Sequence, residues 1–132
     1  MEQTATPWAG KSVLIVDDYQ TIRKTMRELV QGMGLVCREA ENGLAAMERL
    51  REQAPDVILT DLVMPEMDGF ELTEAVKSSP EWRRTPVVVI STHADARYIF
   101  KALRLGADDY LTKPATQEMM TAVLSRIFDH DW

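Results

Sequence analysis

The chain has 132 residues, 45% of them hydrophobic and 27% charged, which suits one globular domain with a substantial core. A formal net charge of −6, with no basic stripe, argues against binding to nucleic acid through its phosphates. Its apolar runs of about five residues are too short to span a bilayer. Met1-Glu2-Gln3-Thr4 lacks the basic-then-apolar order of a signal peptide, and a single cysteine, Cys37, fits a reducing compartment, so a cytoplasmic location is expected.

Residues 1–10 carry small and polar residues around Trp8 and read as a flexible lead-in, with nothing in the sequence deciding whether Trp8 packs. Ser12 to Val16 is a short apolar strand that stops at Asp17-Asp18. From Gln20 the period changes: Ile22, Met26, Leu29, Val30 and Met33 recur at helical spacing, with Asp18 placed to cap the start and Gly32 and Gly34 closing the end. Leu35 to Glu39 is a more polar strand, expected nearer a sheet edge, and Cys37 within it reads as a small buried hydrophobe. Asn42 is placed to cap a second helix with Leu44, Met47 and Leu50 inward, ending before Ala54-Pro55.

Residues 56–60 form the central strand, and its run of apolar and β-branched side chains from Val57 to Thr60 reads as buried on both faces. It runs into Asp61, and Leu62-Val63-Met64-Pro65 and an Asp68-Gly69 turn follow. An ionised aspartate there is costly unless something at the strand's end solvates, pairs or uses it. A third helix carries Phe70, Thr73 and Val76 and stops at Ser78-Ser79-Pro80. A polar loop holding Trp82 leads to Pro86-Val87-Val88-Val89-Ile90, a strand that delivers Ser91-Thr92-His93. Ala94 to Leu105 is helical, with Phe100 and Leu103 on one face and Gly106 as its cap; Tyr98 and Ile99 lie off that face as an exposed apolar patch. Asp109 to Thr112 is the fifth strand, followed by Lys113-Pro114. The last helix, about Thr116 to Phe128, shows Met119, Val123 and Ile127 at i, i+4, i+8.

Five strands alternating with five helices through short loops specify an α/β fold: a five-stranded parallel sheet with helices on both faces. Such sheets bind ligands beyond the carboxyl ends of their strands. Asp17 and Asp18, Asp61, Ser91 and Lys113 all abut such ends and are expected on one rim. Three crowded carboxylates repel, and a divalent cation removes the problem; hard oxygen ligands select Mg²⁺ (or Mn²⁺) over Zn²⁺. A carboxylate beside such a metal, an ammonium and a hydroxyl is equipped to accept a phosphoryl group.

The chain resembles the receiver domains of bacterial two-component response regulators. Four stretches carry the likeness: Val13 to Asp18, Asp61 to Gly69, Pro86 to Ser91, and Gly106 to Pro114. The resemblance implies a flavodoxin- and CheY-like (βα)5 arrangement with strand order 2-1-3-4-5, a receiver spanning 11–128 and a tail from 129. It implies Asp61 as phosphoacceptor, Asp17, Asp18, Asp61 and the Val63 backbone carbonyl around Mg²⁺, and Ser91 and Lys113 on the phosphoryl group. It also implies a cis Lys113-Pro114 bond and a Ser91/Tyr110 switch. Val63, Thr92 and His93 border the site as rate-tuning positions, and bulky Thr92 predicts slow loss of phosphate, while His93 reads as an exposed rim histidine.

The implied partners are a histidine kinase or phosphotransfer protein as donor and an output protein on the face of the fourth helix, fifth strand and fifth helix. The resemblance implies no direct nucleic-acid or membrane contact, and a monomer or phosphorylation-dependent dimer. A receiver excised from a longer regulator or hybrid kinase is the alternative. A phosphatase on this fold usually has a second aspartate where Val63 stands, and a flavin carrier would need a phosphate loop where Asp17-Asp18 repel one. Phosphoryl acceptance with slow self-hydrolysis makes "enzyme" a poor description.

Overall fold

The computed structural model describes residues 8–129. The chain alternates five strands and five helices: β1 (Ser12–Val16), α1 (Gln20–Gln31), β2 (Val36–Ala40), α2 (Gly43–Glu52), β3 (Val57–Thr60), α3 (Gly69–Lys77), β4 (Val87–Ser91), α4 (Ala96–Arg104), β5 (Asp109–Thr112) and α5 (Gln117–Asp129). The strands form one sheet in the order β2-β1-β3-β4-β5, and every pairing is parallel.

Alternation along β1 divides the core. Val13 and Ile15 face α1 and α5 through Met26, Val30, Met120 and Leu124, whereas Leu14 and Val16 face α2 and α3 through Ala46, Leu50, Leu72 and Val76. All four β3 residues are buried, as a strand covered on both sides requires. The two edges, β2 and β5, are only partly buried, which agrees with the polar reading of Leu35 to Glu39. Local chemistry sets several helix starts. The Asn42 side chain accepts from the Ala45 amide at 2.9 Å, and Asp68 and Glu71 form a reciprocal capping box on α3.

Three expectations about the helices differ from the structure. Tyr19, not Asp18, is the N-cap of α1, and no side chain caps it, since tyrosine has no short side-chain oxygen to reach the first-turn amides; the Asp17 carboxylate takes the Tyr19 amide at 3.0 Å. Leu44 is exposed: fully buried Ala46, with Leu50 one turn on, sets the inward arc of α2, and Leu44 lies about 200° around from Ala46. The same geometry inverts α4. Its inward residue is Ala102, so Phe100 stands 64% exposed and Leu103 45%, while Tyr98 and Ile99 are half-buried.

The structure decides what the sequence left open at Trp8, which is 4% exposed and belongs to the core. Its indole Nε1 donates to Asp129 Oδ1 at 2.5 Å, and its ring lies 6.0 Å from that of Phe128. The start of the domain is thereby tied to the end of α5. The remainder of the lead-in, residues 1–7, and the tail, 130–132, lie outside the described residues.

Candidate functional site

Strand order reverses between β1 and β3: the chain leaves β1 for β2 on one side and returns to β3 on the other. A crevice opens at the carboxyl ends of strands that diverge in this way. The β1–β3 register pairs Val16 with Thr60, so the next residues, Asp17 and Asp61, emerge side by side. The Asp61 amide donates to the Val16 carbonyl at 2.9 Å and extends the ladder to the aspartate itself. The β4–β5 register pairs Ser91 with Thr112 and leaves Lys113 as the next residue; its amide donates to the Ser91 carbonyl at 2.8 Å.

Carboxylate oxygens of Asp17, Asp18 and Asp61 lie within 4.8 Å of one another. Lys113 is the cation among them: its Nζ is 2.8 Å from Asp17 Oδ2 and 3.3 Å from Asp61 Oδ2. The other Asp61 oxygen, Oδ1, accepts the Leu62 amide at 2.7 Å. Burial pushes the Asp61 carboxyl above the usual range, Lys113 and the Leu62 amide oppose this, and Asp17 adds to it. Burial alone would lower Lys113, but its contacts with Asp17 and Asp61 outweigh that and raise it, so it stays charged at neutral pH. Lys113-Pro114 is a cis peptide bond.

Asp18 Oδ1 is buried with no hydrogen-bond partner among the described residues. A buried carboxylate oxygen without a donor is costly. Two neighbouring carboxylates and an all-oxygen donor set make this orphan fit a hard divalent cation such as Mg²⁺.

Around this centre lie the remaining predicted residues. Ser91 is fully buried, and its hydroxyl oxygen accepts the His93 amide at 3.1 Å, leaving its own proton free to donate elsewhere. Thr92 is exposed and Val63 is 59% exposed. His93 is half-buried instead of standing free on the rim: its ring stacks on Tyr98, centroids 4.6 Å apart and planes 8° apart. The Tyr110 hydroxyl donates to the His93 carbonyl at 2.5 Å. Partial burial pushes its phenol up.

Sequence reasoning missed three supporting contacts. Arg23 Nη1 donates to the Asp17 carbonyl at 2.6 Å, and nothing in an amphipathic helix signals a side chain reaching back to a strand end. Gly69 lies so close to Asp61 that an added Cβ would sit 2.1 Å from the Asp61 carbonyl oxygen. The Asp68-Gly69 turn was legible, but not what the glycine makes room for. The Leu62 amide is invisible to any reading of side chains. Cys37 takes no part; burial, seconded by Glu39, pushes its thiol up to about 11, and it is inert at neutral pH.

The family model described as the response regulator receiver domain matches residues 13–125. The chain belongs to this family. Over 118 residues this receiver domain is 32% identical to the chemotaxis protein CheY-3 of Vibrio cholerae, with 89% of this chain and 91% of that protein covered. It is 36% identical to the DNA-binding transcriptional regulator NtrC of Escherichia coli over 118 residues, and spans only 25% of that longer protein. Among solved structures it is similar to the signal receiver domain of a signal transduction histidine kinase from Syntrophus aciditrophicus. That likeness has a TM-score of 0.84 and 31% identity, with 91% of each chain covered. The receiver domain is thus a two-component signalling domain and not a classical enzyme. Among the described residues no helix is long and apolar enough to cross a membrane.

Proposed function

We propose that this receiver domain accepts a phosphoryl group on Asp61 and passes the signal on by a change of shape. The observation that supports this best is the pair of in-register strand ends that sets Asp61 beside Asp17 with Lys113 between them. An Asp61 carboxylate oxygen attacks the phosphorus of the donor. The bond to the donor's leaving group breaks, the leaving group departs with the electron pair, and an acyl phosphate remains on Asp61. The Leu62 amide holds one carboxylate oxygen and fixes the direction of attack. Lys113 sits where the transferred oxygens arrive and balances their charge, and Ser91 turns its hydroxyl toward them.

Asp17, Asp18, Asp61 and the Val63 carbonyl would hold Mg²⁺, or Mn²⁺, which when bound supplies positive charge to the phosphoryl oxygens. Without it, three carboxylates would meet an anionic donor with Lys113 alone to offset them.

Once Asp61 is phosphorylated, the Ser91 hydroxyl moves toward the phosphoryl group and the Tyr110 ring, its hydroxyl now on the His93 carbonyl, turns inward, which reshapes the face of α4, β5 and α5 for an output protein. The donor is a histidine kinase or a phosphotransfer protein. The same reading puts the domain in the cytoplasm, as a monomer or a phosphorylation-dependent dimer. Exposed Thr92 and Val63 border the approach to Asp61 and slow the attack of water. The match to a quarter of NtrC supports a second reading, in which the same receiver controls the output domain of a longer regulator.

Intact mass after incubation with Mg²⁺ and a small acyl-phosphate donor tests the proposal. One phosphoryl adduct is expected, absent in Asp61→Asn and absent when the metal is chelated. An adduct that persists in Asp61→Asn overturns the assignment. Thr92→Ala is expected to shed its phosphate faster than the parent, and an unchanged rate removes the rate-tuning role.

A further inference from the structure

The inward turn of Ala102 leaves the outer surface of α4 with an unusual composition. The helix, Ala-Arg-Tyr-Ile-Phe-Lys-Ala-Leu-Arg, holds three cations and no acid, in a chain whose net charge is −6. Arg97, Lys101, Arg104 and Leu105 recur at i, i+4, i+7 and i+8 and so share one flank. Phe100 stands beside them, 64% exposed.

That flank is concave. Arg97, Phe100, Lys101, Arg104 and Leu105 line a depression of about 550 Å³. A second depression of about 290 Å³, lined by Phe70, Arg97, Tyr98 and Lys101, follows the groove between α3 and α4. The Lys101 ammonium lies 4.4 Å above the Phe70 ring, so the floor of the groove is aromatic and its edges are cationic. Arg97 is answered by Asp95, but among the described residues neither Lys101 nor Arg104 pairs with a carboxylate. Neither lining includes a residue of β5 or α5, so the groove lies on the α3 side of α4.

We infer that the α3–α4 groove docks an acidic peptide segment that seats an aliphatic or aromatic side chain beside Phe100 and sets carboxylates against Lys101 and Arg104. Aromatic residues and arginine are the side chains that most often carry binding energy at protein interfaces. A groove with apolar floor and charged rims suits an amphipathic segment of opposite charge. Extended polyanions fit poorly: a membrane or a nucleic acid would meet these three cations together with the repulsion of the acidic remainder. Docking here needs no phosphate on Asp61 and stands apart from the proposed function.

Selection of a random-peptide display library on the whole protein tests this. Enriched sequences are expected to be acidic with a Leu, Phe or Trp anchor. A dye-labelled enriched peptide should bind roughly tenfold or more weakly to Lys101→Glu/Arg104→Glu, and to Phe100→Ser, both of which change only exposed residues. Amide shifts on binding should cluster on Phe70 and residues 97–105 and spare β5 and α5. The inference is overturned by no enrichment, by neutral or basic sequences, by undiminished binding to both variants, or by shifts that map elsewhere. Phosphatidylglycerol vesicles that bind through these residues while peptides do not would also overturn it.

Discussion

Asp61→Asn should make the metal-free protein more stable, although it removes the residue proposed to accept the phosphoryl group. Asp61 has carboxylate oxygens of Asp17 and Asp18 within 4.8 Å and the Lys113 ammonium at 3.3 Å. At an effective dielectric near 20, each repulsion costs about 3.5 kcal/mol and the attraction returns about 5 kcal/mol. The sum is about 2 kcal/mol against the charged form, and burial of a side chain only 11% exposed adds to it. Asparagine keeps an oxygen for the Leu62 amide and sheds the charge, while Lys113 keeps Asp17.

The assay is urea unfolding followed by circular dichroism at pH 7 with a chelator. A gain of about 1–3 kcal/mol is expected, which moves the midpoint by roughly 1 M at the usual urea slope. Added Mg²⁺ at about ten times its dissociation constant should stabilise the parent by about 1.4 kcal/mol and the variant far less. A variant no more stable than the parent under chelation would refute the view that the site holds excess negative charge.

Trp8→Ala should cost about 3–5 kcal/mol, because it removes a buried indole and its hydrogen bond to Asp129; urea unfolding checks this, and a loss under 1 kcal/mol contradicts the packing. Gly69→Ala should destabilise by about 1–3 kcal/mol or more and impair phosphorylation, since the new methyl meets backbone atoms of Asp61 and Leu62 that have no room to yield; parent-like stability and labelling would count against it. Glu39 is buried enough to raise its carboxyl, but hydrogen bonds from Arg23 and Arg27 outweigh that and lower it. Its stabilising effect is therefore complete above the unfolded value near 4.5 and fades as pH falls through the lower folded value. Stability–pH curves of the parent and Glu39→Gln should converge in acid, and a gap of constant size would contradict the assignment.

The α4 and α2 helices show where a one-dimensional pattern stops being informative. Large apolar residues at helical spacing, Phe100 with Leu103 and Leu44 with Leu50, read as the inward faces. Leu50 does meet the core, but at the positions where the reading failed the inward residue is an alanine, Ala102 in α4 and Ala46 in α2, each fully buried. A helix packed closely on a sheet needs a small side chain at closest approach, and hydrophobic periodicity scores size rather than fit. Trp8 was undecidable for a related reason: its partners Phe128 and Asp129 lie at the other end of the chain, and no local signal announces them.

By itself the sequence determined the strands, the helices and the place of Asp17, Asp18, Asp61 and Lys113 just beyond strand ends, with Ser91 closing its strand. Strand period, helix period and turn residues are local properties of the chain, and the parallel α/β arrangement follows from their alternation. Tertiary structure decided how those ends combine. Register set Asp17 beside Asp61, Lys113 was drawn between them, Asp18 was left with an unpartnered oxygen, and α4 turned Phe100 to solvent. Each outcome depends on distances between elements far apart in sequence, where packing and charge are balanced over the whole domain.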